Sequence, residues 1–214
     1  MGRPSIKICG IKDSAALDAA LSAGADHIGL VFVGESPRHV ALEQAAALAR
    51  AARGRARIVG LFMDPDMAAL EAAQTAVGLD VIQLHGKEPP AFAAAVRSAL
   101  QRETWKAIGV RTRADLDAAR AYAGAADRVL YDAKPPEQGA LPGGTGLRID
   151  WTLLAGAAHP LPWILAGGLD PANVAEAMAT TGADFVDVSS GVESARGVKD
   201  PARIKAFCAA ALGE

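Results

Sequence analysis

Eight short runs of nearly continuous apolar residues punctuate the chain, at 6–9, 27–32, 58–63, 81–84, 105–110, 128–131, 163–166 and 185–188. They do not alternate polar with apolar as a half-exposed strand does. Each therefore predicts a strand covered on both faces, as in a parallel sheet. Stretches rich in Ala, Leu, Arg and Glu follow them at helical spacing: 13–23, 41–52, 66–76, 89–102, 113–123, 151–157, 171–180 and 200–212. Asp13, Asp170 and Asp200 are placed to cap helix starts, with Pro171 and Pro201 in first-turn positions where a missing N–H costs nothing. Gly24, Gly78, Gly124 and Gly182 fall between a helix and the next strand, where a left-handed C-cap is wanted.

Eight strands alternating with eight helices, without linker or low-complexity tract, predict an α/β protein: a single (βα)8 TIM barrel forming one domain over 1–214. An open doubly wound sheet is the alternative. It would carry a Gly-rich dinucleotide fingerprint in the first βα turn, and Cys9-Gly10-Ile11-Lys12-Asp13 is not one.

Composition narrows the function classes. With 22 basic and 24 acidic residues the formal charge is −2, so no nucleic-acid partner is expected. The longest apolar runs stop well short of the roughly 20 residues that cross a bilayer, so no membrane partner is expected either. The start of the chain has no signal-type apolar core, and the expectation is a cytoplasmic protein. Cys9 and Cys208 lie far apart without metal-ligand spacing, which predicts reduced thiols and no metal site. No extended apolar surface stripe stands out, so a monomer is expected.

In this fold the chemistry sits where strands end at their C-termini. That filter selects Cys9, Arg38, Gln83 with His85, Asp132, Gly167 with Gly168, and residues 187–191. Strand seven closes on Gly167-Gly168, and strand eight on Ser189-Ser190-Gly191. Small residues and hydroxyls in both loops let backbone N–H groups approach a phosphate. Gly143-Gly144-Thr145-Gly146 reads equally as another anion loop or as part of a lid. A thiol is a poor base at neutral pH unless a cation or helix dipole helps it, and Lys7, two residues before Cys9, is the candidate cation. Asp132 follows an apolar run with no helix pattern after it, so a catalytic carboxylate is the stronger reading than a cap. Cys208, His27 and His159 read as structural.

Lys7-Ile8-Cys9-Gly10-Ile11, Ser36-Pro37-Arg38, Gln83-Leu84-His85-Gly86, the glycine loop 143–146, Ala166-Gly167-Gly168-Leu169 and residues 187–193 together resemble the phosphoribosylanthranilate isomerases of tryptophan biosynthesis. The resemblance spans residues 7–200, in the same order. One departure is Leu147-Arg148-Ile149-Asp150-Trp151, where other members often carry a Lys and an aromatic before the Asp-Trp pair.

The resemblance implies a cofactor-free Amadori rearrangement of a phosphosugar aminoaldose, with Cys9 as general base and Asp132 as general acid. It further implies that Arg38 holds the anthranilate carboxylate and that Asp187 contacts the amine or sugar. His85, from its strand-end position, is expected to contact substrate, and Gly144, Gly167, Gly168, Ser189, Ser190 and Gly191 are expected to serve the phosphate. Competing readings are the aminoaldose isomerase of histidine biosynthesis, which would carry Asp in place of Cys9, the indole-forming synthase, which would carry catalytic Lys and Glu residues, and a non-catalytic phosphosugar sensor.

Overall fold

The computed structural model describes residues 2–133 and 148–214. Eight parallel strands close into a barrel in chain order: β1 (Ser5–Cys9), β2 (His27–Val31), β3 (Arg57–Phe62), β4 (Val81–Leu84), β5 (Glu103–Val110), β6 (Arg128–Ala133), β7 (Trp163–Leu165) and β8 (Phe185–Val188). The expected strands all form, with ends shifted by at most two residues.

Two apolar clusters explain why the strand sequences are continuously hydrophobic. Val59, Val81, Trp105, Leu130, Ile164 and Phe185 pack inside the barrel. Ile6, Ile8, Ile28, Leu30, Ile58, Ile82, Tyr131 and Val186 point outward into a second layer shared with the helices. Side chains on a strand alternate in direction, so a strand that feeds both layers has no face left for polar residues.

The helices are α1 (Ser14–Ser22), α2 (Leu42–Ala52), α3 (Met67–Val77), α4 (Pro90–Leu100), α5 (Arg113–Asp117), α6 (Val174–Thr181) and α7 (Pro201–Leu212). Asp13 and Asp200 cap α1 and α7 as their sequence positions predict, through bonds of 2.8 Å to the N–H groups of Ala16 and Ala202. The Asp that precedes several strands has a second use. Asp26, Asp80 and Asp127 each accept, at 2.8 Å, from the first N–H groups of the preceding strand: Ile6, Ile58 and Thr104. These carboxylates satisfy backbone donors at the barrel floor that would otherwise lack partners.

Three helix expectations are corrected. Residues 151–157 form only a single 3-10 turn, Trp151–Leu153, because the segment is too short and Gly156 leaves helical space at φ +63°. Residues 113–123 divide into α5 and a 3-10 turn, Ala118–Tyr122. The helix expected at 171 starts at Val174. Asp170 caps the turn before it, and Asn173 uses its side chain on Asp170 N–H (2.9 Å) and on the Gly168 carbonyl (3.0 Å) to close the strand-seven loop. An unexpected hairpin, β9 (Glu193–Ala195) and β10 (Val198–Lys199), follows β8.

Candidate active site

The C-terminal ends of the strands surround one cavity of about 360 Å³, at the low end of the size usual for small-molecule sites. Cys9, Arg38, His85, Asp132, Gly167, Gly168, Asp187, Ser189 and Ser190 all line it. The cavity has two chemically distinct sides. Val31, Val33, Leu61 and Met63 make an apolar wall toward β2 and β3, with Arg38 and Pro37 beside it. The glycine and serine loops after β7 and β8 make the other side.

Cys9 ends β1 and is 4% exposed. Gly29 on β2 leaves the space that the Cys9 side chain occupies. A Cβ there would fall 3.0 Å from Cys9 Sγ and 3.2 Å from Lys7 Cε, so the thiol and the lysine stem lie side by side against a strand that has no side chain at that point. Lys7 is fully buried, and its Nζ pairs with Asp187 Oδ1 at 2.8 Å. Burial pushes the Cys9 thiol above its ordinary value, while the Lys7 charge pulls it down, Asp187 pushes it up and Lys199 pulls it down. For Lys7 itself burial works against the charge, but Asp187 and Cys9 outweigh it and the net displacement is upward. The ammonium stays charged beneath the thiol.

Asp132 stands near the end of β6. Its Oδ1 accepts from the N–H of Ala133 at 2.8 Å, and its Oδ2 lies 3.2 Å from His85 Nε2. Gln83 holds the other ring nitrogen, Nε2 to Nδ1 at 2.9 Å. The ends of β4 and β6, on either side of β5, therefore supply a relay that sets the carboxylate's orientation.

The two small-residue loops pack hard against their neighbours. Gly167 lies at φ +80°, and a Cβ there would be 2.6 Å from the N of Ala133. At Gly191 a Cβ would sit 1.9 Å from the Leu169 carbonyl oxygen, so the loops after β7 and β8 touch backbone to backbone. The N–H groups of Gly168, Ser190 and Gly191 have no acceptor among the described residues, which suits an anion. Gly191 backs this loop pair and does not itself line the cavity. Gly144 and the loop 143–146 lie outside the described residues.

Nothing in the local sequence announces the ion network behind Arg38. Arg38 is 6% exposed and makes a paired contact with Glu193, Nε to Oε1 at 2.7 Å and Nη2 to Oε2 at 2.8 Å. Lys199 joins Glu193 Oε1 at 2.8 Å and also reaches the Ser189 carbonyl at 2.9 Å. Ser189 Oγ in turn lies 3.2 Å from the Cys9 carbonyl. Arg196, on the same hairpin, lines the cavity as well. Among the described residues no group of three or more His, Cys, Asp or Glu is placed to hold a metal ion, and no helix is long and apolar enough to cross a membrane.

Comparison with known proteins gives a consistent result. Residues 6–210 match the family model described as N-(5'phosphoribosyl)anthranilate (PRA) isomerase. N-(5'-phosphoribosyl)anthranilate isomerase of Rhodospirillum centenum is 56% identical over 210 residues, covering 97% of this chain and 98% of that one. Its counterpart from Paramagnetospirillum magneticum is 52% identical, covering 97% of each. The crystal structure of phosphoribosyl anthranilate isomerase from Thermotoga maritima superposes with a TM-score of 0.87 at 32% identity, covering 99% of this chain and 100% of that chain. A phosphoribosyl anthranilate isomerase in complex with reduced 1-(o-carboxyphenylamino)-1-deoxyribulose 5-phosphate superposes with a TM-score of 0.86 at 29% identity, covering 99% and 100%. With its fold and its sequence matched along nearly the whole length, this chain belongs to the N-(5'-phosphoribosyl)anthranilate isomerase family.

Proposed function

We propose that this chain converts N-(5-phosphoribosyl)anthranilate to 1-(2-carboxyphenylamino)-1-deoxyribulose 5-phosphate in tryptophan biosynthesis, by acid–base catalysis. The observation that carries the reading is the placement of Cys9 and Asp132 on one cavity whose opposite sides suit an aromatic carboxylate and a phosphate.

Asp132, in its protonated form, gives a proton to the furanose ring oxygen as the C1–O bond breaks. The lone pair on the anthranilate nitrogen becomes the second bond of a C1=N iminium. Cys9, as thiolate, takes the proton from C2, and the C–H electrons form the C1=C2 bond of an enolamine. Tautomerisation places a proton on C1 and leaves the ketone at C2. The substrate's own nitrogen is the electron sink, so no cofactor is called for. Lys7 keeps a positive charge beside the developing thiolate, which offsets part of its desolvation. Arg38 meets the ring carboxylate, and Asp187, 7% exposed at the cavity wall, faces the sugar and amine. His85 acts on substrate through Asp132. The loops of Gly167, Gly168, Ser189 and Ser190, backed by Gly191, take the phosphate.

The protein works as a monomer in the cytoplasm, where thiols such as Cys9 stay reduced. Val198 is the one large hydrophobic side chain strongly exposed among the described residues, which supports the monomer. Sedimentation velocity at micromolar concentration should give a single species near the chain mass of 21.9 kDa. A dimer would remove this part of the reading. The activity is tested by adding the protein to freshly prepared phosphoribosylanthranilate and following loss of anthranilate-type fluorescence. Rapid loss is expected with the parent and not with Cys9→Ala or Asp132→Asn. A parent that leaves the fluorescence unchanged would overturn the proposal.

A further inference from the structure

Arg38 enters the cavity from the loop after β2 with two of its three guanidinium nitrogens already committed to Glu193. The carboxylate that holds it is itself held. Lys199 Nζ lies 2.8 Å from Oε1, and the Gly197 N–H donates to Oε2 at 3.0 Å. Arg38, Glu193 and Lys199 are each 6% exposed, so the cluster is dry. Burial alone would raise the Glu193 pKa, but hydrogen bonds from Arg38 and the charge of Lys199 overcome it and hold the carboxyl at about 2. Glu193 is an anion throughout the neutral range.

The hairpin that carries these groups is seated directly on the Arg38 loop. A Cβ at Gly197 would fall 2.5 Å from the Pro37 carbonyl oxygen, and Lys12 Nζ donates to that oxygen at 2.8 Å. A long side chain free to change rotamer loses entropy when it grips a ligand, whereas one already clamped does not. With Nε and Nη2 engaged, Nη1 is left without a partner among the described residues, and Arg38 shares the cavity lining with the apolar Val31, Val33 and Leu61. Charge points the same way. Two cations against one anion leave the cluster positive, and Arg196, exposed on the same hairpin and lining the cavity, adds to it.

We propose that Glu193 is a positioning residue that fixes the Arg38 guanidinium for a carboxylate on an aromatic ring. With Lys199 it makes the hairpin the determinant of selectivity for anthranilate over an uncharged arylamine. This rests on the activity proposed above, and the test separates the two. Steady-state kinetics are measured with N-(5-phosphoribosyl)anthranilate and with N-(5-phosphoribosyl)aniline, which lacks only the carboxylate. Selectivity is the ratio of the two kcat/KM values.

A charge-assisted hydrogen bond of this kind is worth about 10- to 100-fold. Glu193→Gln is expected to lower the selectivity ratio by at least about tenfold, mainly through KM for the carboxylated substrate. In an Arg38→Met background the same change should leave the ratio where Arg38→Met put it. Glu193→Asp keeps the anion beside Lys199 but withdraws it from Arg38. It should reproduce the loss even where Glu193→Gln does not fold. Equal falls for both substrates, or an unchanged ratio, would make Glu193 merely structural and overturn the inference. A parent that fails to turn over the carboxylated substrate would instead overturn the proposed activity.

Discussion

His85 Nε2 stands 3.2 Å from Asp132 Oδ2, joining the ends of β4 and β6, while Gln83 Nε2 holds His85 Nδ1 at 2.9 Å. A donor to Nδ1 leaves the ring proton on Nε2, so the imidazole donates to Asp132 and fixes its rotamer. Misplacing a reacting group by about 1 Å can cost roughly 100-fold. His85→Ala is therefore expected to lower kcat by about 10- to 100-fold with a much smaller change in KM. His85→Gln, whose amide nitrogen can reach the place of Nε2, should recover part of the loss. Single-turnover kinetics check this, and an unaltered kcat in His85→Ala would separate His85 from the acid.

Cys9, as the proposed base, gives a pH prediction with a definite sign. Burial raises the Cys9 pKa, so the thiolate fraction should still be climbing with pH through the mildly alkaline range. Alkylation of Cys9 by iodoacetamide reads the same ionisation without turnover and should climb in parallel. Lys7→Met removes the charge that pulls the thiol down and should displace the alkylation curve to higher pH. Cys9→Ala itself should cost about 10² to 10⁴ in kcat. A parent alkylation rate that levels off near neutral pH would contradict the burial argument.

The strands were readable because burial on both faces writes itself as an unbroken apolar run, and the strand ends then pointed to Cys9, His85, Asp132 and Asp187. What could not be read depends on distant partners. Arg38 and Glu193 are 155 positions apart, and nothing in either local sequence announces the pairing. The hairpin after β8 is too short and too polar for periodicity to register. The neighbourhood of Lys7 and Cys9 was half visible. Spacing put both side chains on one strand face, but the room they share comes from Gly29 across the ladder. The helix expected at 151–157 failed for a local reason, since seven residues ending near a glycine give too few hydrogen bonds to repay nucleation.

Gly191 tests the loop pair. With the Leu169 carbonyl oxygen 1.9 Å from where a Cβ would be, Gly191→Ala must part the loops after β7 and β8. Overpacking of this kind costs about 1–3 kcal/mol in stability. The proposed phosphate donors at Gly168 and Ser190 should move with the loops, so KM and the inhibition constant of inorganic phosphate should both rise, with kcat falling less. Unchanged phosphate inhibition in a destabilised Gly191→Ala would place the phosphate elsewhere.

His27 gives the barrel floor an acid sensitivity that the active site does not share. Its ring packs 5.3 Å from Trp105 and 4.8 Å from Phe185, and neither ring nitrogen has a hydrogen-bond partner among the described residues. Burial, with help from the Arg57 charge, lowers its pKa from 6.5 to about 4. Because the folded value is the lower one, the unfolded chain binds the proton more readily between these limits. Stability is unaffected by this group above pH 6.5, declines as pH falls from there to about 4, and is level below that. The displacement corresponds to about 3 kcal/mol over the window. Glu193 titrates lower. Its contribution is complete above 4.5 and is lost as pH falls towards about 2. His27→Met keeps an apolar filler between the two rings and cannot charge. Urea unfolding followed by Trp fluorescence at several pH values should therefore show the parent losing stability from pH 6.5 downward, and His27→Met losing much less until the carboxylates protonate. His27→Met should also equal or exceed the parent near pH 7.5, since it removes two unpaired polar atoms from the interior. A variant that follows the parent's acid limb would show that His27 does not carry it.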